Sequence, residues 1–79
     1  MGTEELARLA QRILVEMLAL ANNASTDNRA DTMGKFKGFG ISLAFVYEEY
    51  TGQSAMHMTP KKVMEWAMNL PIPPKRMVV

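Results

Sequence analysis

The chain contains no cysteine. Disulfide stapling and thiolate metal sites are therefore excluded, which leaves a short chain fewer ways to hold itself together. The absence also fits a reducing compartment, so the expected location is the cytoplasm. Histidine occurs once, at His57. With a single imidazole and no motif placing a Ser or Lys beside a base, nucleophilic and general acid–base catalysis have little to stand on. Flanked by Met56 and Met58, His57 makes a poor soft-metal site as well. No catalytic, metal or cofactor site is expected, and the chain is read as a non-enzyme. Long apolar runs are missing too. The first apolar stretch is interrupted by Arg8, Gln11, Arg12 and Glu16, so neither a membrane span nor a signal peptide is read from it.

An excess of one charge is also lacking. Nine basic residues balance eight acidic ones for a net charge of +1, which is no general footprint for nucleic acid. The distribution is uneven. Residues 1–50 hold five basic and seven acidic residues, whereas residues 51–79 hold four and one. An anionic partner would be met by the C-terminal third or by Lys35 and Lys37.

What is present reads as helix. The 79 residues suit one small domain, and a chain this short buries only about 60% of its unfolded surface, so self-association is the expected support. Leu6, Ala10, Ile13, Met17, Leu20 and Ala24 recur at spacings of four and three, widened by Leu9, Leu14 and Ala21 into a bundle-like stripe. Thr3 is the expected N-cap, with Glu4 and Glu5 in the first turn where the helix dipole favours acids. Asn22–Asn28 is a loop by composition, and Ser25, Thr26 and Asp27 are cap candidates for a second helix. Thr59-Pro60 opens a third helix, whose inner stripe is Val63, Trp66, Ala67 and Leu70, and Pro71 stops it. The expected fold is all-α: helices at about 3–23, 27–51 and 59–70 form a helical domain over 1–70. An extended, Pro-rich, basic and apolar tail follows over 71–79.

The middle segment is the informative one. Ala30, Gly34, Gly38 and Ser42 stand four apart, and Phe45 continues the row with Ile41 beside it. On a helix these positions share a face and leave room for a close approach. Phe36, Phe39, Leu43, Val46, Tyr47 and Tyr50 fall on the other side, the pattern of a central helix covered on both faces. Glycine costs about 1 kcal/mol in a helix interior, so propensity alone predicts a break near Gly38-Phe39-Gly40. Periodicity argues for one long helix, closed by Gly52 as a left-handed cap. The first expectation for the small-residue face is packing on the chain's own first helix; a second copy and a ligand groove are the alternatives.

Other motifs compete for function. Lys37-Gly38-Phe39-Gly40 matches the opening of the RNP1 pattern, but Ile41, Ser42 and Ala44 break it and the alternating strands are missing. A helix break at Gly40 would expose backbone N–H groups near Lys35 and Lys37, giving an anion site to which Lys61 and Lys62 are further candidates. Glu48 and Glu49 are adjacent and read as solvated surface. Pro71, Pro74 and Arg76 satisfy a polyproline-ligand pattern, and Met77 begins an apolar end suited to docking on a partner. The function expected from all this is a small helical interaction protein, a homo-oligomeric regulator or inhibitor acting on a protein partner. Such chains are often carried by phage or mobile elements. The alternative is a binder of nucleic acid or a phosphorylated small molecule through Lys35, Lys37, Gly38 and Gly40.

Overall fold

The computed structural model describes residues 2–71, which form α1 (Thr3–Asn22), α2 (Arg29–Thr51) and α3 (Pro60–Met68). The fold is all-α, and none of its described helices is long and apolar enough to cross a membrane. The expected tail, with Pro74, Arg76 and Met77, lies outside the described residues; Pro71 is exposed and non-helical.

The α1 stripe folds inward as its spacing dictates: Leu6, Ala7, Ala10, Ile13, Leu14 and Met17 are buried. It closes early, since Leu20 is only half-buried and Ala21 and Ala24 are exposed. Thr3 is not the cap. It is the first helical residue, and Gly2 takes the cap position in an extended conformation without a side-chain hydrogen bond.

The following loop is closed by Asn28 rather than by Ser25, Thr26 or Asp27. Its Oδ1 accepts from the Ser25 N–H at 2.8 Å and its Nδ2 donates to the Asn23 carbonyl at 3.4 Å. Asn28 is also the N-cap of α2, so the helix starts two residues later than composition suggests.

From there α2 runs unbroken through Gly34, Gly38 and Gly40. The three glycines cost about 3 kcal/mol together. Burial of Leu43, fully sequestered, and Val46 alone returns roughly 3–6 kcal/mol, so tertiary packing overrides propensity. Gly52 ends the helix at φ 72°, a left-handed conformation that glycine adopts freely, and its N–H reaches the Glu48 carbonyl at 2.8 Å.

Thr59 caps α3 as expected, its hydroxyl accepting from the Lys62 N–H at 3.2 Å with Pro60 at the first turn. Val63 and Ala67 face inward, and the helix stops at Met68, before Pro71. Trp66 docks edge-on against Tyr47 (centroids 5.1 Å) and Tyr50 (5.7 Å), fixing α3 to the C-terminal half of α2. On the other flank, the Gln11 amide of α1 donates to the Ala67 carbonyl at 3.2 Å. One core cluster joins all three helices, running from Leu6, Ala10, Ile13, Leu14 and Met17 to Leu43, Val46, Val63 and Ala67.

Candidate functional site

The α2 helix has two apolar sides, and the core uses only one. Leu43 and Val46 are buried and Phe36, Phe39, Tyr47 and Tyr50 pack beside them. The opposite side, made of Ala30, Gly34, Gly38, Ser42 and Phe45, is exposed throughout. This corrects the expectation that α1 packs against the small-residue row: α1 packs on the aromatic side. A Cβ added at Gly34 or at Gly38 would meet nothing within 4 Å.

Two large apolar side chains stand at the C-terminal end of this open floor, Ile41 at 59% exposed and Phe45 at 65%. Met33 flanks the N-terminal end, also about half-exposed at 49%. The Ser42 hydroxyl donates back to the Gly38 carbonyl at 3.2 Å, which turns a polar group onto its own helix and leaves the face more apolar. The result is a shallow surface, flat in its N-terminal half and ridged in its C-terminal half, with the exposed carboxylates of Asp31 and Glu49 on the same arc at its two ends.

Among the α2 glycines, the one that does meet a neighbour is Gly40. A Cβ there would lie 3.5 Å from Met17 Cε and 4.0 Å from Pro60 Cβ, so α1 and the start of α3 both come within ordinary van der Waals contact of it. Sequence reasoning grouped Gly40 with the anion candidates and missed this packing role. The signal was its position, about 160° around the axis from Gly38 and off the four-residue row.

The anion site loses its parts. The helix does not break at Gly40, so no new N-terminus is exposed, and Gly40 itself is buried. Lys35 and Lys37, two residues apart, project about 160° from each other around α2. Lys35 pairs with Asp31 at 3.3 Å on the exposed flank. A cleft of about 240 Å³ opens at the α1–α2 loop, but Glu16 and Asp31 accompany Lys35 in its lining, which suits no anion. Lys61 and Lys62 are exposed in the first turn of α3, where the Lys62 N–H is already taken by the Thr59 cap. Among the described residues no three His, Asp or Glu side chains gather as a metal site.

Glu48 is not the freely solvated residue expected. Its Oε2 accepts from the Ala55 N–H at 2.8 Å and ties the α2–α3 connector back to the helix. Ala55 is buried as a consequence, while Met56 beside it is 80% exposed and His57 is exposed too.

Comparison with protein-family models, curated proteins and solved structures gives no match. Function is therefore read from the surface alone.

Proposed function

We propose that this chain is a non-enzymatic interaction module, a homo-oligomeric regulator or inhibitor whose working surface is the outward face of α2, acting in the cytoplasm. The observation that carries it is the pair of open glycines. Gly34 and Gly38 cost about 2 kcal/mol of helix stability, and neither a turn nor a neighbour among the described residues requires them. A body approaching the backbone closely gives them a reason, and the exposed Ile41 and Phe45 give that body apolar surface to bury.

The test is the size of the species containing this chain in extracts of the cell that makes it. Wild type is expected to run above the monomer, and Ile41→Glu with Phe45→Glu to collapse it to monomer while retaining the fold. Lys35→Ala with Lys37→Ala is expected to leave the size unchanged. A wild-type monomer, or a complex indifferent to the glutamates, would sink the proposal.

A further inference from the structure

Given that reading of the α2 face, on which this step rests, we infer that its occupant is a second copy of the chain, laid antiparallel about a twofold axis near residues 39–40. Two independent complementarities support this occupant and this orientation.

The first is of size. The small residues Ala30, Gly34 and Gly38 occupy the N-terminal half of the face, and the large Ile41 and Phe45 the C-terminal half. Turned head to tail about that axis, Phe45 comes opposite the partner's Gly34, and Ile41 opposite the partner's Gly38. Each ridge then meets a floor with no Cβ to obstruct it. A parallel pair does the reverse, setting Phe45 against Phe45 and leaving a gap over the glycines.

The second is of charge. In the N-terminal half the outer face is flanked by Lys35 on one edge and Lys37 on the other and carries one acidic residue, Asp31, while Arg29 projects from the opposite side of the helix. The segment from Ile41 to Thr51 carries Glu48 and Glu49 and no basic residue. Antiparallel copies therefore set Lys35 and Lys37 toward the partner's Glu48 and Glu49, twice, against one like-charged neighbour, Asp31, which Lys35 already pairs. Such exposed rim pairs favour one orientation and add little affinity, so removing the lysines leaves the dimer in place. Parallel copies set like against like. Helical side chains lean toward their own N-terminus, so lysines and glutamates on facing antiparallel helices lean toward one another. The helix dipoles also oppose favourably in this arrangement.

Such a face is self-complementary, so assembly closes at two copies rather than growing into a fibre. A single helix face falls at or below the low end of the roughly 1,200–2,000 Å² that stable specific interfaces bury, the range of weak or transient contacts.

The lack of native cysteine makes the orientation readable by disulfide trapping. Gly34→Cys and Phe45→Cys are prepared as separate single variants, each checked for helicity by circular dichroism. In the antiparallel dimer, positions 34 of the two copies stand about 16 Å apart along the axis, far beyond the roughly 4.4–6.8 Å a disulfide spans between Cα atoms. Mild oxidation of a mixture is therefore expected to yield mainly the heterodimer that joins position 34 of one copy to position 45 of the other, with little product from either variant alone. Efficient cross-linking of each variant by itself, with no preference for the mixed species, overturns the orientation. A wild-type chain that stays monomeric at millimolar concentration overturns the second copy as occupant. If the cell-extract species is nevertheless large and sensitive to Ile41→Glu with Phe45→Glu, the interaction surface stands and only its occupant is wrong.

Discussion

The two faces of α2 both carry large apolar side chains and behave differently. On the inner face Leu43 is fully buried, and Val46 and four aromatic residues pack around it. On the outer face Phe45, two positions from Leu43, is 65% exposed above glycines that touch nothing. Hydrophobicity alone does not distinguish them. What does is where the other described helices lie, because α1 and α3 both pack on the Leu43 and Val46 side of α2. The inner face thus carries the stability of the monomer, and the outer face is available for a purpose outside it.

That contrast breaks most visibly at its two extremes. Leu43→Ala should cost about 2–5 kcal/mol, the usual range for emptying a packed core site, and leave a chain this small largely unfolded in chemical denaturation. Phe45→Ala should change monomer stability by less than about 0.5 kcal/mol in the same assay. Comparable losses at both positions would mean that the outer face is packed after all.

Glycine gives the next contrast. Gly40→Leu must push on Met17 and Pro60 and is expected to cost about 1–3 kcal/mol, whereas Gly38→Leu has open space and should leave the monomer folded. Thermal melts of the two variants compare them directly.

Smaller and opposite in sign is the effect of Gly34→Ala and Gly38→Ala. Each should stabilise the monomer by about 0.5–1 kcal/mol, raising its melting temperature by several degrees, while weakening association. A rise in both quantities would show that the outer glycines keep no partner's backbone close. Away from both faces, Thr59→Ala should cost about 1 kcal/mol through loss of the α3 cap, without altering assembly.

Much of the fold was legible because helix periodicity and caps are local. The α1 stripe, the Thr59-Pro60 start and the Gly52 stop all follow from neighbours a few residues away, and the structure has them. The continuity of α2 was readable from its period, against the propensity of its glycines. Legibility failed where the answer depended on which element covers which. The wheel showed two apolar faces but not that only one would be covered, and it expected α1 on the small-residue row. Gly40 was misread for the same reason, since its neighbours Met17 and Pro60 come from distant parts of the sequence. Asn28 and Glu48 were missed because their partners are backbone groups of a loop, which leave no periodic trace.

The central claim, that the outer face of α2 binds a second copy of the chain, is tested most directly by sedimentation equilibrium of the purified protein across micromolar to millimolar concentration. Wild type should rise from the monomer mass toward twice that value, and Ile41→Glu with Phe45→Glu should stay at the monomer mass with unchanged helicity. A wild-type chain that remains monomeric throughout, or a double variant that dimerises as well as wild type, would contradict it.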